Sequence, residues 1–175
     1  MSQYLVLTAM GADRTGSVSS LTKLASACGC NIVDSRMAIF GLEFTMIMLL
    51  VGSAKSIYQI ESKLPAVALK LELITMMKRT SDYKIPEFTR HFKVEYAGID
   101  QPGVLKAMTA FFATRSIDIS SLKSEIHPKT NHMNATILIA LTDDTSIENL
   151  EKDYFGLCEQ IDVQGTIKEV DSNQL

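Results

Sequence analysis

Residues 11–16 read Gly-Ala-Asp-Arg-Thr-Gly, and 87 positions later residues 98–103 read Gly-Ile-Asp-Gln-Pro-Gly. The same offset relates the segment 31–33, Asn-Ile-Val, to the segment 118–120, Asp-Ile-Ser. A period of 87 residues is the length of a small domain rather than of a solenoid repeat. The sequence therefore predicts one domain present twice, at residues 1–78 and 91–175, joined by a polar linker at 79–90.

The composition excludes several classes of protein. The chain has 175 residues and a net charge of −3, which argues against a nucleic-acid-binding surface. No apolar run approaches the roughly 20 residues that cross a bilayer, and the first residues lack the basic region of a signal peptide. Three cysteines without a secretory signal fit a reducing compartment. We therefore expect a cytoplasmic protein that does not contact a membrane.

Each copy shows the same order of strands and helices. Alternating apolar residues predict four strands in each copy, at 4–9, 31–40, 44–51 and 69–77, and at 91–97, 117–126, 133–141 and 161–170. Helical spacing predicts helices after Gly16 and Gly103, after Ser53 with Pro65 near its end, and after Thr145 or Ser146. Residues 171–175 are expected to be a frayed tail.

This order predicts the fold class. It is α+β, with two ferredoxin-like βαββαβ domains in tandem, each an antiparallel four-stranded sheet with two helices on one face. Right-handed crossovers leave few alternatives.

The repeated loop joins the first strand of each copy to the first helix. Backbone N–H groups at a helix start lack partners within the helix and carry partial positive charge, so the amides beside Gly16 and Gly103 could bind a carboxylate. Asp13 and Asp100 could bind an ammonium group. The loops are therefore candidate sites for a small amino acid, and a purely structural Asx-turn is the alternative that the sequence leaves open.

Two more positions bear on the candidate site: the first residue of the second strand and the residue after the loop aspartate. Asn31 and Asp118 begin the second strand of each copy, which we expect to lie beside the first strand and to face the loop. Arg14 of the first loop is replaced by Gln101 in the second. Because a guanidinium suits a carboxylate, the first loop is the better candidate for an anion; a solvated surface arginine is the alternative.

The remaining polar residues do not predict a catalytic site. The chain contains no G-x-S-x-G elbow, P-loop or dinucleotide-binding loop. His127 and His132 flank a hairpin loop, where a metal site would need a third ligand such as Glu125, and exposed histidines are the commoner case. Cys28 and Cys30 could form half of a metal site or simply fill a helix-to-strand corner. We predict no catalytic residue, no metal and no cofactor.

The two units resemble ACT domains, which are regulatory modules that sense amino acids. The resemblance rests on a D-x-x-G loop before the first helix and on Asn or Asp opening the second strand, and it covers about residues 3–78 and 91–171. It implies ligand-binding residues in two loops: Gly11, Asp13, Arg14, Thr15, Gly16 and Asn31 in the first copy, and Gly98, Asp100, Gln101, Pro102, Gly103 and Asp118 in the second. Asp118 departs from the usual Asn and would repel a ligand carboxylate, so the second site is the weaker one.

A tandem pair of such domains, with Asp-Arg-Thr-Gly at residues 13–16 followed by Cys-Asn-Ile-Val-Asp-Ser at residues 30–35, resembles regulators of the glycine cleavage operon. This resemblance implies a non-enzymatic repressor that contacts a LysR-type activator protein, does not itself touch DNA, and senses a small amino acid such as glycine. It also implies a homo-oligomer, such as a dimer. The alternative is an amino-acid-responsive regulatory subunit of a biosynthetic enzyme.

Overall fold

The computed structural model describes residues 2–81, 90–142 and 145–171. The chain divides into two compact units, Met1–Lys84 (unit 1) and Ile85–Leu175 (unit 2). Most of the predicted linker at 79–90, and nearly all of the predicted tail at 171–175, lie outside the described residues.

Unit 1 has the βαββαβ order predicted from the sequence. Its elements are β1 (Gln3–Ala12), α1 (Ser17–Ala27), β2 (Asn31–Phe40), β3 (Glu43–Gly52), α2 (Ala54–Leu71) and β4 (Ile74–Thr80). The four strands form one antiparallel sheet, sheet 1, in the order β2-β3-β1-β4.

Unit 2 repeats this arrangement. Its elements are β5 (Arg90–Ile99), α3 (Val104–Ala113), β6 (Ile119–His127), β7 (His132–Leu141), α4 (Ile147–Gln160) and β8 (Val163–Val170). Sheet 2 has the order β6-β7-β5-β8. The predicted α+β class, with two ferredoxin-like units in tandem, is confirmed.

The strand order corrects one expectation. The second strand of each unit does not lie beside the first, because β3 separates β2 from β1 and β7 separates β6 from β5. The first helix carries the chain over one face of the sheet and leaves one strand position vacant. The following tight hairpin, in which Phe40 pairs with Glu43, then fills that position with β3.

The end of α2 is a second correction. The sequence predicted a strand from residue 69 and Pro65 near the end of the helix, but α2 continues to Leu71 and Pro65 lies in its interior. The buried stripe of Ile57, Ile60, Leu64 and Ala68 extends past the proline, so packing outweighs the one backbone hydrogen bond that proline removes. Glu72 is the C-cap residue of the helix, and its φ of 55° is left-handed.

Each sheet buries one face under its two helices. In unit 1 the buried residues of β1 and β3 alternate along the strands and meet α1 and α2; they are Leu5, Leu7, Ala9, Phe44, Met46, Met48 and Leu50. In unit 2 the core holds Phe111, Phe112 and Tyr154, whose rings make edge contacts. We call the opposite faces the outer faces of sheet 1 and sheet 2.

The first helices of the two units end in the same way but with different residues. After α1, Gly29 adopts a φ of 70°, and the Cys30 amide donates to the Ala25 carbonyl, as in a Schellman motif. After α3, Ser116 adopts a φ of 55° at the equivalent position. Left-handed backbone costs a residue with a side chain roughly 1–2 kcal/mol.

We expect Ser116→Gly to raise the free energy of unfolding of unit 2 by about 1 kcal/mol, because glycine adopts this backbone without that cost. Gly29→Ser is the matched reverse substitution and should lower the stability of unit 1 by a similar amount. Urea unfolding followed by circular dichroism measures both. A loss of stability in Ser116→Gly would contradict the assignment of strain to this position.

Candidate functional site

The repeated loops are anchored to the hairpin turns of their own units. In unit 1 the Asp13 amide donates to the Leu42 carbonyl at 3.0 Å. In unit 2 the Asp100 amide donates to the Asn131 carbonyl at 2.9 Å, and the Asn131 side chain donates back to the Asp100 carbonyl at 3.2 Å. The backbone of each loop is therefore fixed, while its side chains at positions 13–15 and 101–102 are exposed.

Both loops lead into a helix start that no side chain caps. Gly16 and Gly103 occupy the N-cap positions with φ of 96° and 101°, and neither helix has a side-chain cap among the described residues. The Ser20 amide donates to the Gly16 carbonyl, and this hydrogen bond closes the first helical turn. The amides of Val18 and Ser19 precede that bond, so they remain available to an acceptor from outside the helix. The space that a Cβ at Gly16 or Gly103 would enter is open.

The first glycines of the two motifs have a structural role. A Cβ on Gly11 would lie 2.7 Å from the Glu72 carbonyl oxygen, and one on Gly98 would lie 3.1 Å from the Asp162 carbonyl oxygen. Glu72 and Asp162 are the left-handed residues that precede the last strand of each unit. These glycines therefore allow the turn before the last strand to pack against the first strand, and the packing explains them without a ligand.

Asn31 and Asp118 do not lie beside the loops of their own units. Asn31 pairs with Val51, which is level with Tyr4 at the start of β1, whereas the loop follows Ala12 at the other end of that strand. At about 3.3 Å per residue the separation along the sheet is roughly 26 Å. Asp118 precedes Ile119, which is level with the start of β5. The expectation that these residues face their own loops is wrong, because it rested on the wrong strand order.

Arg14 forms an ion pair that the sequence did not predict. Its guanidinium donates to the carboxylate of Glu72, and both side chains are exposed. Such a surface pair contributes at most about 1 kcal/mol, and a guanidinium has five N–H donors. Arg14 can therefore contact a further acceptor. In unit 2 Gln101 stands at this position, so Asp100 and Asp162 have no arginine beside them in the loop.

Next to Gly16, the Ser17 side chain is only 2% exposed, and its hydroxyl has no hydrogen-bond partner among the described residues. Val104 holds the equivalent position in unit 2 and belongs to its core. Ser17 was not among the predicted site residues. Its signal in the sequence is a hydroxyl at a position where the sister copy has a buried aliphatic side chain.

The buried ionisable groups are not arranged for catalysis. Burial raises the pKa of the Cys30 and Cys158 thiols, whereas a nucleophilic cysteine has a lowered pKa. Burial also raises the pKa of Tyr154, whose hydroxyl donates to the Glu95 carbonyl at 2.7 Å. Among the described residues no three potential metal ligands lie together, and His127 bonds Thr130 within its own hairpin.

A shallow groove of about 400 Å³ lies on unit 2. It crosses β5, β7 and β8, and its polar lining includes Glu95, Asn134, Thr136, Gln164 and Thr166. Periodicity did not indicate this groove because its residues come from three strands that are distant in the chain.

Comparison with known proteins identifies the family. The ACT domain model matches residues 3–78. A glycine cleavage system transcriptional repressor of Escherichia coli K12 is 39% identical, over 98% of this chain and 92% of the relative, and one of Shigella flexneri matches to the same extent. The chain belongs to the glycine cleavage system transcriptional repressor family. The predicted resemblance to ACT-domain regulators is thereby confirmed.

Solved structures agree with this family. A crystal structure assigned to a glycine cleavage system transcriptional repressor superposes with a TM-score of 0.78 at 35% identity, over 98% of this chain and 99% of the other. A protein of unknown function from Galdieria sulphuraria has the same fold, with a TM-score of 0.78 at 23% identity, over 98% of this chain and all of the other. Like its relatives in the family, the chain is a regulator and not an enzyme.

None of the described helices is long and apolar enough to span a bilayer. The six elements of each unit form one βαββαβ sheet domain, and the four described helices are the crossovers of the two sheets.

Proposed function

We propose that the chain represses the glycine cleavage operon in the cytoplasm by contacting a LysR-type activator protein, and that it senses glycine at the loop before α1. The uncapped start of α1, with Gly16 at its N-cap, is the observation that carries the sensing part of the proposal. The names of its relatives support the regulatory part.

The loop offers a partner for each charged group of glycine. The ligand carboxylate accepts hydrogen bonds from the amides of Val18 and Ser19, where the helix dipole favours an anion. The guanidinium of Arg14 adds a charged donor next to this position. The carboxylate of Asp13 is exposed in the same loop and accepts from the ammonium group. Thr15 completes the loop, and Asn31 is left out of the proposed site because its own strand begins far from it.

The charge of the two loops favours the first over the second. Asp13 and Glu72 of unit 1 are balanced in part by Arg14, whereas Asp100 and Asp162 of unit 2 are accompanied by the neutral Gln101. A carboxylate that approaches the second loop therefore meets one more uncompensated negative charge. Gly98, Pro102 and Gly103 reproduce the turn, so we assign the second loop a structural role.

The net charge of the chain supports contact with a protein rather than with DNA. A net charge of −3 opposes association with a phosphate backbone, which DNA-binding proteins approach through clustered Lys and Arg. The chain would then exist in two conformations. Glycine binds one of them more tightly, and the activator has a different affinity for each, so glycine binding changes the affinity for the activator.

Isothermal titration of the purified chain tests the sensing part. We expect glycine to bind, and expect acetate, which lacks the ammonium group, and glycinamide, which lacks the carboxylate, each to bind at least about tenfold more weakly, because each loses one charged contact worth about 1.5–3 kcal/mol. Absence of both heat and a thermal shift at millimolar glycine would refute glycine sensing.

Capture on the immobilised full chain from a cell extract tests the partner. Recovery of a LysR-type activator is the expected result. Recovery of a large catalytic subunit instead would favour the alternative role as a regulatory subunit of a biosynthetic enzyme, and would contradict the proposal.

A further inference from the structure

The outer face of sheet 1 is apolar and exposed at its centre. Residues directly opposite each other in neighbouring antiparallel strands lie on the same face of a sheet, so Thr8 of β1 shares this face with Ile47 of β3 and Met76 of β4. Met10 shares it with Ile74. The side chains of Met10, Ile47, Ile74 and Met76 are between 45% and 71% exposed.

Charged side chains lie only at the margin of this face. On the edge strand β2, Arg36 lies opposite Ile47 and is paired with Asp34 at 3.9 Å. On the other edge strand, Lys78 lies opposite Val6. An apolar centre with a polar rim is the arrangement of a protein–protein interface.

The outer face of sheet 2 can be compared with that of sheet 1 position by position, because the two units have the same fold. Glu95 stands where unit 1 has Thr8, and it pairs with Lys93 at 2.6 Å. Thr136 and Thr166 flank Glu95 in register as Ile47 and Met76 flank Thr8. The same fold therefore presents a polar outer face in unit 2, and the apolar face of unit 1 is not a requirement of the fold.

We propose that the outer face of sheet 1 is a self-association surface, on which the same face of a second copy of this chain packs about a two-fold axis. An identical face offers apolar side chains to apolar side chains and places both charged rims at the periphery of the interface, where they keep contact with solvent. A partner with a charged face, such as the outer face of sheet 2 presents, would bury the Lys93–Glu95 ion pair against apolar side chains, and the desolvation of such a pair is costly.

The area of the face is close to the lower bound for a specific dimer interface. Seven levels of paired residues join β1 to β4, and four strands about 4.8 Å apart with a rise of about 3.3 Å per residue give a flat area of roughly 450 Å². Two such faces together have a flat area of roughly 900 Å². Their accessible surface area is larger than this flat area, because the side chains protrude. Specific interfaces bury upward of about 1,000 Å², and two sheets pack face to face at about 10 Å.

Sedimentation velocity of the full chain without glycine tests this surface independently of the proposed sensing. The test variant Ile47→Thr/Ile74→Gln/Met76→Thr takes the residues that unit 2 carries in the same register. The matched control Tyr58→Gln/Leu69→Gln removes two apolar side chains of α2 that are 67% and 80% exposed. We expect dimers of wild type and control, and a dissociation constant at least about 100-fold weaker for the test variant.

Two results would overturn the proposal. One is a wild type that remains monomeric at 100 µM. The other is a test variant that associates as tightly as the wild type. The single variant Met76→Lys guards against a folding defect, since this side chain is 68% exposed; it should melt as the wild type does and still weaken association.

Discussion

Replacing Gly165 by valine should lower the stability of unit 2 by about 1–3 kcal/mol, the range of an overpacked core position. A Cβ at Gly165 would lie 2.5 Å from the Cys158 sulfur and 2.6 Å from the Tyr154 hydroxyl oxygen. Tyr154 is fully buried and is held by its hydrogen bond to Glu95. Both neighbours are buried in the core of unit 2, so we expect β8 to move away from α4.

Gly156→Ala is the matched control in the same unit. Gly156 lies within α4, and nothing stands within 4 Å of a Cβ at this position. We expect it to stabilise unit 2 by about 0.5–1 kcal/mol, because glycine is unfavourable in a helix interior. Urea titration monitored by circular dichroism measures both variants. A Gly165→Val variant as stable as the wild type would show that the packing of β8 on α4 is not as described.

Gly16→Val should weaken glycine binding roughly 5- to 30-fold, whereas Gly103→Val should leave it unchanged. Both glycines have φ near 100°, where a side chain costs at least about 1–2 kcal/mol. A valine at position 16 favours a loop conformation with negative φ. The bound amino acid must then restore the left-handed backbone, and this free-energy cost is subtracted from the binding free energy. Isothermal titration of both variants measures the affinities.

The two variants control for each other. They introduce the same side chain at equivalent helix starts, so thermal melting should report a similar loss of stability in units 1 and 2. Equal losses of glycine affinity in both variants would contradict the preference for the first loop. Undiminished binding by Gly16→Val would remove the α1 start from the site altogether.

The order of strands and helices could be predicted because alternation and helical spacing are local properties of the sequence. The neighbours of β2 could not be read from chain order, since a crossover helix can leave a strand position vacant. The end of α2 was misplaced because Leu69 and Leu71 fit a strand pattern as well as a helix. Tertiary packing of Leu64 and Ala68 decided in favour of the helix.

The candidate site could be predicted only in part. The loops and their glycines follow from the repeat, but the contacts that define their roles are long-range. The Arg14–Glu72 pair joins residues 58 positions apart, and Gly11 is explained by the backbone of Glu72.

The affinity of the purified chain for the LysR-type activator, measured by fluorescence anisotropy with and without saturating glycine, tests the central claim most directly. The account predicts a dissociation constant that glycine shifts at least about fivefold, and a shift that Gly16→Val abolishes while Gly103→Val retains it. An affinity that glycine leaves unchanged, or no measurable binding to the activator, would contradict it.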